Sequence, residues 1–488
     1  MNTLYIYAVD ETWIQLDSDN AGTLQEISEF FTFEVPGAKF TPAYKNKMWD
    51  GRIRLVNMTG RIYKGLLPYI EDYCKERGYS IVKDEKLKPI EYIFNIDEFI
   101  KSLNLIHEAY DFQSFALKEA IERNRCTLLS PTSSGKSLII YCLVRFFMTR
   151  VKKKILICEP TVVLVNQMLT EFKLYAPDFP IADHIHKIYD GASKITDKKI
   201  VISTWQAVYE QKKEYFDLYD VIIVDETHTA KADSIKGMFE KAINVIHRFG
   251  LTGTLNDTKV HRLVIEGLTG PAIQVAKTKE LMDRKIISEL IIKCIILKYT
   301  SLVRIANKKM AYEDEVDFIV NYQPRNEFIA KLASAVPNNE NVLILTDYHD
   351  KKPHIDLIKK ELEKITNKEI LIVTGFTDAD EKERIRLYMN DHDGVILLAT
   401  SVFFTGVSIN NIQHLIFGTN SKSVIKLLQS IGRGLRRDGK KNKVNAYDIV
   451  DDFGFGNKKN YLTQHFLQRI RIYISEKFSW KTKNINIK

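Results

Sequence analysis

The chain has 488 residues and a formal net charge of +9, because 71 lysines and arginines exceed 62 aspartates and glutamates. This length predicts roughly two to four domains, and the modest positive balance suits a nucleic-acid partner as well as it suits plain solubility. No apolar run approaches the ~20 residues of a membrane span and the first residues carry no secretion signal, which excludes a membrane or secreted protein. The five cysteines have no metal-ligand spacing and predict buried thiols in the reducing cytoplasm.

Residues 1–90 are predicted to form a small α+β domain that contacts DNA. Residues 3–9 and 12–16 alternate apolar and polar side chains like a β-hairpin, and residues 23–31 predict a short helix. Residues 39–55 combine lysines and arginines with interleaved aromatic side chains, a mixture that neutralises phosphates and stacks on bases. A solvated basic hairpin whose tryptophan belongs to a small core is the alternative. The candidate DNA contacts are Lys45, Lys47, Trp49, Arg52 and Arg54.

A phosphate-binding loop is predicted at residues 126–137, where a short apolar run ends in small residues and a helical pattern follows. The loop N–H groups and the helix N-terminus attract phosphate, Lys136 would reach the β/γ-phosphates, and the Ser137 hydroxyl would hold Mg²⁺. Ser130 stands where the full motif has its first glycine, and an ordinary strand–loop–helix turn is the alternative. The predicted nucleotide-binding residues of the loop are Ser133, Ser134, Gly135, Lys136 and Ser137.

Residues 91–270 alternate strand-like and helical runs, which predicts a doubly wound parallel sheet with its ligand site at the carboxyl ends of the strands. Four β-forming residues end in the adjacent carboxylates Asp225 and Glu226, followed by His228. Asp225 would hold Mg²⁺ opposite Ser137, and Glu226 would orient or deprotonate the attacking water. A strand that ends in a polar loop with a helix-capping aspartate is the alternative.

Weaker signals follow the other strands of this domain. Pro160 and Thr161 end one strand, and Thr204 and Gln206 end the next, so their hydroxyls and helix N-termini could bind nucleic-acid phosphates. Plain helix caps are the alternative for both segments. Ahead of the loop, Gln113 could pair with both edges of adenine, with the neighbouring aromatics Tyr110 and Phe112 flanking the ring or simply filling a core.

Residues 271–456 restart the strand–helix alternation without a second phosphate loop, which predicts a partner domain rather than a second ATPase. A segment after one strand offers Thr400 as a candidate nucleic-acid contact and Gly406 as a candidate nucleotide contact, and Gln429 follows as a candidate catalytic residue. Gln429 begins a run in which Arg433 and Arg436 lie three residues apart on one helix face and could straddle a transferring γ-phosphate. A basic surface helix is the alternative.

Residues 457–488 predict a C-terminal helix and tail. The amphipathic helix, about residues 461–478, carries Arg469, Arg471 and Lys477 on an expected basic outer face. The expected role is packing across the motor, and a frayed tail is the alternative for the last eight or so residues.

The ordered set of motifs from Gln113 to Arg436 resembles the superfamily 2 helicases, and this resemblance spans about residues 107–456. Residues 30–33, 49–55 and 65–68 resemble the N-terminal domain of the bacteriophage UvsW-type recombination helicases, as does the pattern of residues 467–478. The resemblance implies two tandem RecA-like domains that use ATP and Mg²⁺.

The resemblance also implies a DNA motor that unwinds and branch-migrates forks and junctions, acts on R-loops, and serves recombination, repair and replication, generally with 3′→5′ polarity. We expect a monomer in the host cytoplasm that binds DNA, RNA only within R-loops, and no membrane. The alternatives are an RNA helicase, the motor half of a restriction enzyme, for which the sequence offers no nuclease-type carboxylate cluster, and a DNA-annealing or clamping protein with a vestigial ATPase.

Overall fold

The computed structural model describes residues 2–487, apart from the gaps given at the end of this paragraph. The chain divides into two compact units, one made of residues 1–130 and 135–275 and the other of residues 131–134 and 276–488. The first unit contains both the leading region and the first strand–helix region, and the division of the chain into four domains stays a prediction. The gaps are residues 36, 132, 190, 228–231, 254, 256–258, 347–352, 401–408, 410, 419–442 and 457.

The leading part of the first unit is a small α+β fold, as the sequence predicts. Its elements are β1 (Thr3–Ala8), β2 (Trp13–Ser18), α1 (Ala21–Phe30), β3 (Thr32–Glu34), α2 (Pro42–Lys45), β4 (Arg52–Arg54), β5 (Arg61–Tyr63), α3 (Leu67–Arg77) and β6 (Ser80–Lys83). A four-stranded sheet has the order β5-β2-β1-β6, and β3 pairs with β4 in a separate antiparallel hairpin. Alternate residues of β1 and β2 are buried, which is the expected pattern for strands with one face on a core.

The rest of the first unit is built on a seven-stranded sheet of order β13-β7-β12-β11-β8-β10-β9, in which every pair is parallel. Its elements are α4 (Ile96–Ser102), α5 (Asp111–Arg123), β7 (Arg125–Leu129), α6 (Lys136–Phe147), β8 (Lys154–Glu159), α7 (Val162–Tyr175), β9 (Ile185–Ile188), β10 (Ile200–Thr204), α8 (Trp205–Val208), α9 (Lys213–Phe216), β11 (Tyr219–Val224), α10 (Ala232–Lys241), β12 (His247–Thr252), α11 (Lys259–Thr269) and β13 (Ala272–Gln274). Parallel strands need crossover connections, and the helices between these strands supply them.

The leading fold is packed against helices α10 and α11. Tyr63 OH donates to Glu240 in α10 at 2.8 Å, and Tyr69 OH donates to Glu266 in α11 at 2.7 Å. Glu266 is fully buried and also accepts hydrogen bonds from the Arg262 side chain and the Ala272 backbone N–H, both at 3.1 Å. A buried carboxylate is stable only when its oxygens are satisfied in this way, so the contact holds the two parts of the unit in one arrangement.

The second unit contains another seven-stranded, all-parallel sheet, of order β16-β17-β15-β18-β19-β14-β20. Its elements are α12 (Thr278–Asp283), β14 (Glu289–Lys298), α13 (Ser301–Ala306), α14 (Tyr312–Asn321), α15 (Gln323–Ser334), β15 (Val342–Thr346), α16 (His354–Glu363), β16 (Ile370–Val373), α17 (Ala379–Asp391), β17 (Ile396–Thr400), β18 (His414–Phe417), β19 (Lys443–Asp452), α18 (Tyr461–Ser475) and β20 (Ser479–Asn486). The two sheets confirm the predicted fold class, tandem RecA-like α/β folds with a small α+β fold in front. Among the described residues, no helix is long and apolar enough to cross a membrane.

One expectation about the C-terminal segment was wrong. Arg469 is buried rather than on the outer face of α18, and its Nε donates to the buried Asp448 of β19 at 3.0 Å. The frayed-tail alternative does not describe the final residues, because β20 pairs in parallel with β14 from Ser479 to Asn486 and forms an edge of the sheet. The local sequence pattern predicts the amphipathic helix α18. It does not predict that Arg469 pairs with Asp448 or that β20 pairs with β14, because these partners are distant in the chain.

Gly65 lies at the closest approach between the leading fold and α11. A Cβ atom at this position would be 2.2 Å from the carbonyl oxygen of Glu266 and 2.6 Å from that of Gly267. Both neighbours are backbone atoms, which cannot rotate away as a side chain would, so only glycine fits here.

We expect Gly65→Ala to destabilise the first unit by about 1–3 kcal/mol or more, because the added methyl group forces α11 and the leading fold apart. Gly237→Ala is the matched control, since Gly237 lies in α10 with open space around its Cβ position and alanine favours a helix. Urea unfolding of the full chain measures both variants. Equal midpoints for Gly65→Ala and the wild type would contradict the proposed close packing.

Candidate functional site

The predicted phosphate loop leaves strand β7 and ends at the first turn of α6. Ser130 is buried and its backbone N–H donates to the Thr252 carbonyl oxygen at the end of β12, at 2.9 Å. Gly135 has a left-handed φ of 81° just before α6, and a Cβ atom there would lie 2.4 Å from Nε2 of Gln113. The structure therefore places Gln113, the candidate adenine contact, directly against the glycine of the loop.

Lys136 and Glu226 form a buried ion pair across the site. Lys136 Nζ donates to Glu226 Oε1 at 2.9 Å, although the two residues are 90 positions apart in the sequence. Asp225 is buried beside them and accepts a hydrogen bond from the Glu226 backbone N–H at 2.8 Å. Glu226 has a left-handed φ of 47°, a conformation that is unfavourable for a residue other than glycine and that is often found at functional sites. Three predicted catalytic residues are thus brought together.

Ser137 is held by a neighbouring helix. Its hydroxyl shares a 2.9 Å hydrogen bond with the Tyr175 hydroxyl, which in turn donates to Glu171 Oε2 at 3.3 Å, both on α7. Sequence reasoning did not find this tyrosine and glutamate, because nothing in the local pattern of α7 connects them with the loop. To bind a cation, the Ser137 hydroxyl would have to give up its hydrogen bond with Tyr175.

Glu159 is a further carboxylate at the same edge of the sheet. It follows Cys158, which faces Val224 across β8 and β11, so Glu159 lies alongside Asp225. The Glu159 side chain is fully buried, and neither of its oxygens has a hydrogen-bond partner within the described residues. The signal was present in the sequence, since Glu159 ends an apolar strand just as Asp225 does, but it was assigned no role of its own.

Burial raises the pKa of both Glu159 and Asp225 above the usual range of a carboxyl group. For Glu159, loss of hydration is the largest cause and the nearby charge of Asp225 the second. For Asp225, loss of hydration is again the largest cause, the charge of Glu226 adds to it, and Lys136 opposes it. A cation placed among these carboxylates would favour their charged forms.

The candidate nucleic-acid contacts of the first sheet lie at the carboxyl ends of β8 and β10. Gln206 Nε2 donates to the Pro160 carbonyl oxygen at 3.0 Å, which joins the two segments. Thr161 caps α7, with its hydroxyl accepting from the Leu164 N–H at 3.3 Å, and Thr204 faces Glu159 across the sheet. The helix-cap alternative therefore describes Thr161 in this structure, and a role in binding nucleic acid stays a prediction.

The basic residues of the leading fold are exposed around the β3–β4 hairpin. Arg52 forms an ion pair with Glu34 at 3.5 Å, and Arg54 pairs with Asp50. Trp49 is half-buried, and its indole N–H donates to the Arg52 carbonyl oxygen at 2.9 Å. The indole N–H of Trp49 is therefore used in a local contact with the start of β4.

The predicted site residues of the second unit are only partly described. Thr400 ends β17 and is buried, and its hydroxyl has no hydrogen-bond partner within the described residues. No group of three or more histidine, cysteine, aspartate or glutamate side chains among the described residues is arranged to hold a metal. Five predicted residues lie outside the described residues, namely His228, Gly406, Gln429, Arg433 and Arg436.

The buried ion pair predicts a thermodynamic coupling between Lys136 and Glu226. We expect Lys136→Ala to destabilise the nucleotide-free chain by about 3–5 kcal/mol, because the Glu226 carboxylate loses the cation beside it. The Lys136→Ala, Glu226→Ala double variant should be less destabilised than the sum of the two single variants. Urea unfolding of all three variants measures the coupling.

Lys118→Ala is the control for this cycle, because Lys118 and Glu122 form an exposed pair at 3.9 Å on α5. Exposed pairs contribute about 1 kcal/mol or less. A Lys136→Ala effect as small as that of Lys118→Ala would show that the buried pair does not stabilise the site.

Comparison with known proteins identifies three family models along the chain. They are the N-terminal domain of the DNA helicase UvsW at residues 6–84, the res subunit of type III restriction enzymes at residues 97–257, and the helicase conserved C-terminal domain at residues 325–438. A fragment of a putative HsdR subunit of a type I restriction enzyme from Vibrio vulnificus covers 86% of this chain and 74% of its own, with a TM-score of 0.58. At 17% identity, that likeness concerns the fold alone.

Relatives that match by sequence include a translocase and a helicase. The DNA 3′-5′ translocase XPB2 of Sulfurisphaera tokodaii is 24% identical over 68% of this chain and 80% of its own. The ATP-dependent DNA helicase uvsW of Enterobacteria phage T4 is 32% identical over 98% of both chains. The crystal structure of T4 UvsW covers 99% of both chains with a TM-score of 0.53 and 30% identity. The chain therefore belongs to the UvsW family of superfamily 2 helicases, and it is an ATP-hydrolysing DNA helicase.

Proposed function

We propose that this helicase remodels branched DNA, opening and branch-migrating forks and junctions, with R-loops as a further substrate, during phage recombination, repair and replication. The observation that carries the proposal is the buried pair of Lys136 and Glu226 beside Asp225. In this proposal these three side chains bind the triphosphate and its cation and orient the attacking water. The basic hairpin of the leading fold supports a grip on DNA. That grip is sequence-independent and salt-sensitive, because it is directed at phosphates.

In this proposal Lys136 changes partners when nucleotide binds. Its ammonium group leaves Glu226 for the β/γ-phosphates, and the released Glu226 carboxylate orients or deprotonates the attacking water. Gln113 contacts the adenine beside Gly135, and the loop N–H groups of residues 133–135 cradle the phosphates. Gly406, Gln429, Arg433 and Arg436 keep their predicted roles at the nucleotide, the two arginines stabilising charge on the transferring γ-phosphate.

Ser137 and Asp225 would hold Mg²⁺, since a hydroxyl and a carboxylate are the oxygen ligands that this ion prefers. Once bound, the ion neutralises charge developing on the phosphates. Burial and the charge of Glu226 raise the pKa of Asp225, and a cation bound beside this carboxylate would favour its charged form.

We expect Lys136→Ala to abolish DNA-stimulated ATP hydrolysis, because the β/γ-phosphates lose their cation. Phosphate release is measured with single-stranded, duplex, forked and four-way DNA, and Lys118→Ala serves as the exposed-lysine control. Wild-type stimulation should be largest with branched DNA. Stimulated turnover of Lys136→Ala at the wild-type rate would defeat the assignment of the site.

An RNA helicase is the second candidate, and a matched RNA fork separates the two. Stimulation and strand separation as strong on the RNA fork as on the DNA fork would favour RNA. An annealing protein with a vestigial ATPase would instead join strands without DNA-stimulated hydrolysis.

A further inference from the structure

The connection between β3 and β4 exposes two large apolar side chains, Phe40 and Met48, each 81% accessible to solvent. We call this pair the apolar tip. The other aromatic groups of the connection are used internally: Trp49 hydrogen-bonds the hairpin, and a Cβ atom on Gly51 would lie 3.0 Å from the ring of Tyr44. Single exposed apolar residues are common, but two such side chains in one connection between paired strands are a candidate contact surface.

Backbone structure fixes both ends of the apolar tip. Phe40 closes a 3₁₀ helix, Ala38–Phe40, and the Met48 N–H donates to the Ala43 carbonyl oxygen at 2.9 Å. Between α2 and Met48, Lys47 adopts a left-handed φ of 56°, which is unfavourable for lysine unless the surrounding structure requires it. The tip is thus presented on an ordered backbone, which lowers the entropy lost on binding.

The same connection carries three lysines, Lys39, Lys45 and Lys47. Arg52 and Arg54 are paired with Glu34 and Asp50, so the acidic groups of the hairpin are already engaged. No ion pair is found for the lysines within the described part of the chain, and all of them are exposed. Their positive charge favours a polyanion as the partner.

We propose that Phe40 and Met48 stack on the unpaired or end-facing bases at the branch point of a DNA fork or junction. Phe and Met are among the side chains that wedge between base steps, and stacking tolerates any sequence. Continuous duplex buries its base faces in the stack, whereas a branch point leaves some of them open. The tip therefore distinguishes branched DNA from duplex, and the lysines hold the neighbouring phosphates. This inference rests on the proposed function.

The test uses the full chain with Phe40→Ala, Met48→Ala and the double variant. Met58→Ala is the matched control, because Met58 is fully exposed on another connection of the same fold, between Asn57 and Thr59 rather than among lysines. The DNA is a fork with 2-aminopurine at the branch point, compared with continuous duplex carrying the same base. Binding is measured over a range of salt concentrations.

We expect the double variant to bind the fork on the order of 5- to 100-fold more weakly than the wild type. Affinity for continuous duplex, the slope of affinity against salt, and ATP hydrolysis without DNA should stay unchanged, since no charge is altered. The rise in 2-aminopurine fluorescence that wild-type protein causes at the branch should be lost. Met58→Ala should behave as the wild type.

Unchanged fork affinity and fluorescence in the double variant would overturn the proposal, as would an equal loss with Met58→Ala or on continuous duplex. Failure of the proposed function looks different, because wild-type protein would then show no ATP hydrolysis stimulated by branched DNA. If forks stimulate ATP hydrolysis by the wild type and the double variant binds forks equally well, the proposed role of the apolar tip is wrong and the proposed function still stands.

Discussion

The ion pair between Lys136 and Glu226 is the interaction on which the described site depends. Each of the two side chains is buried, and a buried charge without a partner is costly, so neither is stable without the other nearby. The pair exists because β7 and β11 lie in one parallel sheet, separated by β12, and their carboxyl ends open on the same edge. The sheet order therefore brings the lysine of one loop to the glutamate of another.

The carboxylates around this pair place several negative charges in one buried region. Asp225 and Glu159 lie side by side with raised pKa values, and Glu159 is buried without a hydrogen-bond partner among the described residues. Lys136 offsets only part of this negative charge. A cation bound near these carboxylates would favour their charged forms.

The leading fold packs against the part of the first unit that carries Lys136 and Glu226. Tyr63 and Tyr69 hold it to α10 and α11, the helices that follow the strands β11 and β12. Glu266, fully buried, receives hydrogen bonds from both sides of this contact. The contact also includes the close approach of Gly65 to the backbone of α11, so the leading fold is joined to α10 and α11 at several points.

The sequence by itself determined most of the strands, the turn from β7 into α6 and the position of Asp225 and Glu226 at a strand end, because apolar runs, turn residues and helix starts are local signals. The binding of phosphate at that turn and of DNA at the basic residues of the leading fold stay predictions. Only the tertiary structure decided that Lys136 pairs with Glu226, that Arg469 is buried against Asp448, and that the last residues form β20. These features join residues distant in the chain, and strand order and register, rather than local pattern, choose such partners.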